Sequence, residues 1–229
     1  MFRALRQRLG VLLVAVVRNR HGVVIFFDDA VRRERLRQIA RVRGEVKFLL
    51  SDHEALQVMM AVARTAKIKG DIAEVGTYQG GSSKLIAQAR GSASEKTIYL
   101  FDTFEGLPEL SAIDRTHFSD NQYPASEERV RTYLGSFPRV EIYKGIFPES
   151  GTPVTQKMFS FVHLDVDLYE ATRDSLAFFY LRMSPGVVII SHDYMTAPGV
   201  RKAVDEYMAD KPEAVFESSW RQCFIVKTK

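Results

Sequence analysis

From about residue 70 onward, short apolar runs alternate with amphipathic stretches. Five runs rich in valine, isoleucine and phenylalanine have the length of buried strands, and they lie at residues 72–75, 98–101, 140–143, 159–166 and 187–191. Stretches with helical spacing of apolar side chains separate them, at residues 82–89, 126–134, 171–180 and 199–209. Two further runs, at residues 214–217 and 222–227, lie too close together for a helical crossover and predict an antiparallel terminal pair. The pattern is typical of an α/β fold with a doubly wound, mostly parallel seven-stranded sheet.

The beginning of the chain has a different pattern. Ser51 and Glu54 have the spacing of a capping box, and the apolar face that follows predicts a helix to about Lys67. Ahead of it we expect a basic helical extension: an apolar helix through residues 9–17, an extended piece at 23–27 and an arginine-rich helix at 30–43. We therefore divide the chain into an extension, residues 1–50, and a main domain, residues 51–229.

Charge is distributed unevenly between these two parts. Residues 1–43 hold eleven arginines and three acidic residues, a net charge of +8, whereas the whole chain of 229 residues carries +4, so the remainder carries −4. Cys223 is the sole cysteine and cannot form an internal disulfide, which favours a reducing, cytoplasmic setting.

The apolar run at residues 9–17 has about half the roughly 20 residues that a transmembrane helix needs. Arg18 and Arg20 follow it, where a secretion signal would have a small-residue cleavage site. We therefore expect a cytoplasmic protein that contacts a membrane surface or a second subunit through residues 1–43. Burial of the run against the core is the simpler alternative.

The loop after the first strand of the predicted sheet is the expected ligand site of such a fold. It contains Gly76, Gly80 and Gly81, but neither the dinucleotide fingerprint nor the spacing of a phosphate-binding loop. Glu74 suits a cationic ligand, and Asp102, at the end of the second strand, can accept hydrogen bonds from a ribose diol. This pair fits S-adenosylmethionine, which carries an ammonium, a sulfonium and a ribose.

Acidic side chains also follow the fourth and fifth strands. Asp165 and Asp167 have strand spacing and are expected on one side of the chain, and His192 and Asp193 lie at the same sheet edge. With no lysine or arginine expected nearby, a divalent cation, Mg²⁺ or Mn²⁺, would neutralise them and stabilise a substrate alkoxide. His192 is either a ligand or a supporting residue. The alternative for Asp165 and Asp167 is capping of the next helix.

Four segments together resemble the macrocin O-methyltransferase (TylF/MycF/NovP-type) family: residues 71–83, 99–108, 144–149 and 163–170. The resemblance covers about residues 50–229. It implies a class I methyltransferase fold, a methyltransferase domain at residues 51–229, metal-assisted methylation of a hydroxyl, commonly on a sugar of a natural product, and a homodimer. The better-known members have Asp-Asp-Tyr where this chain has His192-Asp193-Tyr194.

The resemblance also implies roles for individual residues. Cofactor-binding positions are Glu74, Gly76, Thr77, Tyr78, Gly80, Gly81 and Ser82 around the methionine part, Asp102 at the ribose, and Thr103, Phe104 and Ile146 around the adenine; we add Asp165 to this set. Asp165 and Asp193 match metal ligands and Asp167 matches the general base. We add His192 as a third metal ligand and as the catalytic base if no metal takes part.

A long polar connection, residues 105–124, is expected to close over the acceptor or to form an ordinary surface loop. Three alternatives to sugar methylation stay open. They are methylation of a catechol-like phenol, a hydroxylase-like or non-catalytic relative that binds the cofactor or a metal, and methylation of nucleic acid. The basic extension suggests nucleic acid, but its arginine-rich part lacks interleaved aromatic residues, so we expect no nucleic-acid partner.

Overall fold

The computed structural model describes residues 14–27, 29–218 and 220–228. Its strands are β1 (Val14–Asn19), β2 (Gly22–Phe27), β3 (Asp71–Val75), β4 (Ile98–Asp102), β5 (Val140–Lys144), β6 (Phe159–Leu164), β7 (Met183–Ser191), β8 (Val215–Glu217) and β9 (Cys223–Val226). Its helices are α1 (Ala30–Glu45), α2 (Asp52–Arg64), α3 (Gly81–Arg90), α4 (Glu127–Leu134), α5 (Tyr169–Tyr180) and α6 (Pro198–Met208). Short 3-10 helices occur at Asp114–Thr116 and Glu149–Val154.

Seven strands form one sheet in the order β5-β4-β3-β6-β7-β9-β8. β3 to β7 are parallel to one another, and β9 is antiparallel to both β7 and β8. The order reverses between β3 and β6, where the connections leave in opposite directions, and this is where an open α/β sheet binds its ligand. The predicted sheet, its helices and the antiparallel terminal pair are confirmed.

Each face of the sheet is covered by helices. On one face Leu176 and Phe179 of α5 and Val204 of α6 are buried in one cluster. On the other face a second cluster contains Ile39 of α1 and Met59 of α2, together with side chains of α3 and α4. Both faces of the sheet are thus buried. This explains why its central strands are continuous apolar runs and do not alternate between apolar and polar residues.

The extension differs from its prediction in one respect. Residues 14–17, which were expected to continue an apolar helix, belong to β1, and β1 pairs with β2 in an antiparallel hairpin. The extended piece and the arginine-rich helix are confirmed as β2 and α1, while residues 9–13 of the expected helix lie outside the described residues. In a hairpin the backbone N–H and C=O groups of one strand bond to those of the other. Whether two segments pair in this way cannot be inferred from the apolar pattern of one of them.

Contacts with Asp52 are among those that hold the hairpin and α1 to the main domain. Asn19 donates to Asp52 Oδ2 at 2.6 Å, and Arg43 Nε donates to Asp52 Oδ1 at 2.7 Å. Asp52 begins α2, whose capping box of Ser51 and Glu54 is present as predicted. Within the part of the chain that the structure describes, no helix is long and apolar enough to cross a membrane.

Candidate active site

A cavity of about 240 Å³ opens at the carboxyl ends of β3, β4, β6 and β7. Most predicted site residues line it, namely Gly76, Tyr78, Asp102, Thr103, Ile146, Asp165, Asp167, His192 and Asp193. Other predicted positions do not belong to its wall, namely Glu74, Thr77, Gly80, Gly81, Ser82 and Phe104. The sheet edge therefore brings the acids after β4, β6 and β7 into one cavity, as expected.

Glu74 is fully buried beside the cavity, where its partners are protein groups. Its Oε1 lies 2.8 Å from His163 Nδ1, and its Oε2 accepts a hydrogen bond from the Ser83 hydroxyl. The three residues connect β3, β6 and α3 below the cavity floor. Contact between Glu74 and the cofactor stays a prediction. In this structure both carboxylate oxygens of Glu74 already have protein partners.

The glycines of the loop after β3 allow close approach between parts of the protein. A Cβ on Gly76 would lie 1.8 Å from the carbonyl oxygen of Asp165, and Gly76 has φ +88°. A Cβ on Gly81 would lie 2.6 Å from Phe48, which precedes α2. Larger residues would push β3 away from the loop that carries Asp165, or α3 away from the extension. Gly80 and Gly81, which the resemblance places around the methionine part of the cofactor, have side chains of this chain as their near neighbours.

Asp102 organises the same loop. Its Oδ2 accepts backbone N–H groups from Thr77 and Tyr78 at 2.7 Å each, and its Oδ1 accepts from Phe104 N at 2.6 Å. An ionised carboxylate has about four acceptor positions, so three are filled and one is left for a ligand. Burial is the main cause that raises the pKa of Asp102, and the three N–H groups oppose it.

The loop after β6, and not the alternation of side chains along the strand, brings Asp165 and Asp167 to the cavity. β6 ends at Leu164, so Asp165 and Asp167 both lie beyond it, and Asp167 has a left-handed backbone with φ +65°. Asp193, beyond β7, is also left-handed, with φ +56°. The expectation that strand spacing places Asp165 and Asp167 on one side is therefore wrong in its reason, although both line the cavity.

His192 lies at the centre of the acids. Its Nδ1 is 2.8 Å from Asp165 Oδ1 and 3.1 Å from Asp193 Oδ2, and its Nε2 is 3.4 Å from Glu54 Oε1. Burial alone would lower the pKa of His192, but the charges of Asp165, Asp193 and Glu54 outweigh it and raise that pKa well above its usual value. The same environment raises the pKa of Asp167, through its burial and then through repulsion by Asp165 and Asp193.

An arginine faces these acids, contrary to the sequence-based expectation. Arg221, between β8 and β9, donates through Nε to Glu54 Oε1 at 3.1 Å and through one Nη to Glu54 Oε2 at 3.2 Å. Its other Nη lies 3.4 Å from Asp193 Oδ1. Burial alone would raise the pKa of Glu54, but His192 and Arg221 outweigh it and hold that pKa well below its usual value.

Sequence reasoning missed both Glu54 and Arg221 as parts of the site. Glu54 has an obvious local role, because its side chain accepts the Ser51 N–H in the capping box at 2.6 Å. Arg221 lies 28 positions after Asp193, in a turn without a recognisable motif. Only the docking of α2 and the β8–β9 turn on the same sheet edge brings them together.

The donor set fits a divalent metal ion. Asp165, His192 and Asp193 each offer one ligand atom, and these three atoms lie within 4.8 Å of one another. Neither ring nitrogen of His192 has a hydrogen bond of acceptable geometry, although the ring is buried. Close donor and acceptor atoms that do not satisfy one another are typical of a set of metal ligands.

The connection at residues 105–124 is anchored at several points. Asp114 is buried and its Oδ1 accepts the backbone N–H of Tyr169 at 3.0 Å, and Phe118 is buried in the core. Gln122 and Tyr123 line the cavity, and the Tyr123 ring meets the Tyr78 ring edge-on at a centroid distance of 5.9 Å. The end of the connection therefore forms part of the cavity wall.

The sequence model described as macrocin O-methyltransferase (TylF) matches residues 50–215. The chain belongs to this family. The matched segment contains every predicted site residue as well as Glu54, and it ends before Arg221. The segment that matches the family thus contains the acids of the cavity, whereas the β8–β9 turn with Arg221 lies after it.

Two curated relatives are similar to part of the chain. The demethyldecarbamoylnovobiocin O-methyltransferase of Streptomyces niveus is 31% identical over 156 residues, which are 62% of this chain and 59% of that protein. The 8-demethyl-8-(2,3-dimethoxy-alpha-L-rhamnosyl)-tetracenomycin-C 4'-O-methyltransferase of Streptomyces olivaceus is 29% identical over 166 residues, 66% of this chain and 63% of that protein. The matches span about three-fifths of the length of these relatives.

Solved structures confirm the fold. The O-methyltransferase NovP superposes with a TM-score of 0.74 at 22% identity, over 87% of this chain and 98% of that one. The O-methyltransferase TomG of Streptomyces achromogenes, solved in complex with S-adenosylmethionine, gives a TM-score of 0.58 at 14% identity, over 99% of this chain and 96% of that one. The seven-stranded sheet is therefore that of the class I methyltransferases.

Proposed function

We propose that this protein is an S-adenosylmethionine-dependent O-methyltransferase that acts on a hydroxyl of a sugar or of a glycosylated natural product. The observation that carries the proposal is that Asp102 and the cluster of Asp165, Asp167, His192 and Asp193 line one cavity. A ribose acceptor and a proton acceptor thus lie on two sides of the same space. The family and the O-methyltransferase activities of the relatives support hydroxyl methylation, and the rhamnosyl group in the name of one of them supports a sugar acceptor.

Asp102 is proposed to hold the cofactor. Its remaining acceptor position would take one ribose hydroxyl, while Thr103 and Ile146 on the cavity wall would flank the adenine. Gly76 lines the cavity where the methionine part would lie, and its lack of a side chain lets the loop that carries Asp165 approach β3 at this point. The bound cofactor supplies an electrophilic methyl group on its sulfonium. The acceptor oxygen forms the new bond to this methyl carbon while the sulfur–carbon bond breaks, and its electron pair stays on sulfur.

Asp167 is proposed to take the proton that the acceptor hydroxyl loses. Burial and the neighbouring carboxylates raise its pKa, which makes its ionised form a stronger base than a carboxylate in water. Its left-handed backbone turns the carboxylate away from β6 and toward the cavity. Asp165, His192 and Asp193 are the residues that would hold a divalent cation, Mg²⁺ or Mn²⁺. Such an ion would orient the hydroxyl and stabilise the negative charge that develops on its oxygen.

Gln122 and Tyr123 are proposed to contact the acceptor from the opposite wall, where an amide and an aromatic ring suit a saccharide. For the whole protein we propose a cytoplasmic homodimer, with the arginine-rich residues 1–43 at a subunit or membrane-surface contact.

A methyl-transfer assay tests the function. The full chain is incubated with S-adenosylmethionine labelled in its methyl group and with separate pools of rhamnosylated natural products, catechols and RNA, with Mn²⁺ and with EDTA. We expect label in the glycoside pool and loss of transfer in EDTA. Label confined to the catechols or to RNA would replace the sugar proposal. The absence of any transfer, together with no calorimetric binding of S-adenosylhomocysteine, would refute methyltransferase activity.

A further inference from the structure

His192 differs from the acids around it because it offers a nitrogen. The side chain is 3% exposed, and neither of its ring nitrogens has a hydrogen bond of acceptable geometry. A buried imidazole without hydrogen bonds is costly, because its polar atoms have lost their bonds to water and gained none in the protein. A cation bound between the ring and the carboxylates would satisfy both.

The distances on the Nδ1 side fit neighbouring ligands of one ion. Nδ1 is 2.8 Å from Asp165 Oδ1 and 3.1 Å from Asp193 Oδ2. Ligands at about 2.1 Å from an octahedral ion are about 3 Å apart when they occupy adjacent positions. The two distances from Nδ1 therefore match those between adjacent ligands of one ion, and one ligand atom from each of the three residues lies within 4.8 Å of the others.

The opposite nitrogen faces a carboxylate, the kind of group that usually accepts the second N–H of a metal-binding histidine. Nε2 lies 3.4 Å from Glu54 Oε1, and Arg221 holds the Glu54 carboxylate through two hydrogen bonds at 3.1 and 3.2 Å. Metal-ligating histidines commonly donate their second N–H to a carboxylate, which fixes the ring and its tautomer. Glu54 is thus placed to keep the proton on Nε2 and leave the Nδ1 lone pair toward the two aspartates.

The charges agree with a divalent cation. The carboxylates of Glu54, Asp165 and Asp193 all face His192, and Arg221 is the one guanidinium in contact with them among the described residues. With an ion bound at Nδ1 the imidazole is neutral, and the three carboxylates and one guanidinium then leave an excess of two negative charges around it, before Asp167 is counted. A divalent ion at Nδ1 would balance them.

We propose that His192 is a direct ligand through Nδ1 and that it makes this site select first-row transition ions, Mn²⁺ and Co²⁺ among them, over Mg²⁺. Magnesium prefers an all-oxygen set and binds imidazole poorly, whereas manganese and the later ions accept mixed nitrogen and oxygen ligands. The inference rests on the proposed function only in placing the metal in the same cavity. It concerns binding, which can be measured without cofactor or acceptor.

The test uses the full chain loaded with Mn²⁺ and compares it with His192→Asp, which restores an oxygen donor. Electron-spin-echo spectroscopy of the Mn²⁺-loaded protein should show coupling to one imidazole ¹⁴N, and His192→Asp should abolish it. In competition titrations the wild type should bind Mn²⁺ at least about tenfold more tightly than Mg²⁺. The variant should lower this ratio about 10-fold or more, as expected when a ligand or its support is lost.

His53→Gln is the matched control, because His53 lies beside Glu54 on α2 and pairs only with Gln57 among the contacts described. It should retain the ¹⁴N coupling and the ion preference. Absence of ¹⁴N coupling in the wild type, equal affinity for Mg²⁺ and Mn²⁺, or no metal binding at all would each refute the proposal, even if His192→Asp fails to fold. If the wild type binds Mn²⁺ as expected but transfers no methyl group to any acceptor, the proposed function is refuted and the metal proposal is not.

Discussion

Two residues with left-handed backbones carry much of the site. Asp167 and Asp193 have φ of +65° and +56°, a region in which aspartate is tolerated better than most side chains. Asp167 lies three residues after the end of β6 and Asp193 two residues after the end of β7, and both line the cavity. Backbone strain of this kind concentrates at functional sites, where neighbouring contacts hold it in place. Asparagine also tolerates this conformation, which makes Asp→Asn the cleanest change at either position.

Asp167→Asn should remove the basic oxygen and keep the shape. We expect turnover to fall about 10²–10⁴-fold, the usual contribution of a general base. Affinity for S-adenosylhomocysteine should change little, because Asp102 lies on another strand. Steady-state kinetics and calorimetry on the same preparation measure both quantities. Turnover within about tenfold of wild type would exclude Asp167 as the base and favour His192 in that role.

Asp102→Ala should weaken binding of S-adenosylhomocysteine by about 1.5–3 kcal/mol. The substitution removes the ribose acceptor and also the acceptor for the N–H groups of Thr77, Tyr78 and Phe104. Titration calorimetry measures the loss. Asp174→Asn, on the surface of α5, is the control and should bind like the wild type. Unchanged affinity in Asp102→Ala would mean that the cofactor does not use this carboxylate.

At the scale of elements, the turn between β8 and β9 completes the site from outside the parallel sheet. Arg221 connects this turn to α2 through Glu54 and to the end of β7 through Asp193. A buried carboxylate that loses its cationic partner destabilises a protein by about 3–5 kcal/mol. The turn therefore contributes to stability as well as to the arrangement of His192.

Arg221→Ala should lower the free energy of unfolding by about 1–3 kcal/mol, less than for a fully buried pair because about a third of the Arg221 side chain is exposed. Urea denaturation followed by circular dichroism measures this change. Arg115→Ala breaks an ion pair with Asp120 in which both side chains are half-exposed, and it should stay within about 0.5 kcal/mol of wild type. Equal effects of the two substitutions would argue against a special role for Arg221.

The C-terminal strand region is fastened by a second acid. Glu213 is buried and accepts hydrogen bonds from Tyr180, Lys227 and Thr228. Burial alone would raise the pKa of Glu213, but these hydrogen bonds outweigh it and lower the pKa from 4.5 to about 2. A folded-state pKa below the unfolded value means that this carboxylate stabilises the fold above about pH 4.5 and that its contribution is lost as the pH falls toward 2.

Glu213→Gln should therefore be less stable than wild type at neutral pH, and the difference should shrink between about pH 5 and pH 2. Denaturant midpoints measured over this range give the comparison. A difference that stays constant with pH would show that Glu213 acts through packing and not through its charge.

At the scale of the molecule, the arginine-rich extension is charged oppositely to the rest of the chain. Arg18, Arg20, Arg37 and Arg41 are exposed, while Val24, Ile39 and Val42 are buried in the core. The extension therefore packs against the main domain with its apolar side chains and presents arginines to solvent. An anionic partner or membrane would meet these arginines first.

Replacing Arg18, Arg20, Arg37 and Arg41 together by glutamine should reduce binding to vesicles containing phosphatidylserine, since each basic residue near such a surface contributes about 1 kcal/mol. Replacement of Lys67, Lys69, Lys157 and Lys202, exposed lysines outside the extension, should have a smaller effect. Vesicle sedimentation at low and high salt measures binding, and light scattering measures the oligomeric state. If neither changes in the arginine variant, the extension has no role in association through its charge.

The sequence by itself determined the order and type of nearly all elements of the main domain. Apolar runs of strand length and helical stretches alternate there. This alternation is typical of a parallel sheet that is covered by helices on both faces. The same order placed Asp102, Asp165 and Asp193 at one sheet edge, because each acid lies at the carboxyl end of a parallel strand or within two residues of it. The motifs of residues 71–83 and 163–170 then pointed to the family.

Only the tertiary structure decided which side chains face one another. Glu74 follows the pattern of a ligand-binding acid, yet it is buried between Ser83 and His163, because the direction of a strand-end side chain depends on what packs beside it. Glu54 and Arg221 lie 167 positions apart and meet at His192 through the docking of α2 and the β8–β9 turn. Contacts at such separation depend on the packing of whole elements and leave no local pattern in the sequence.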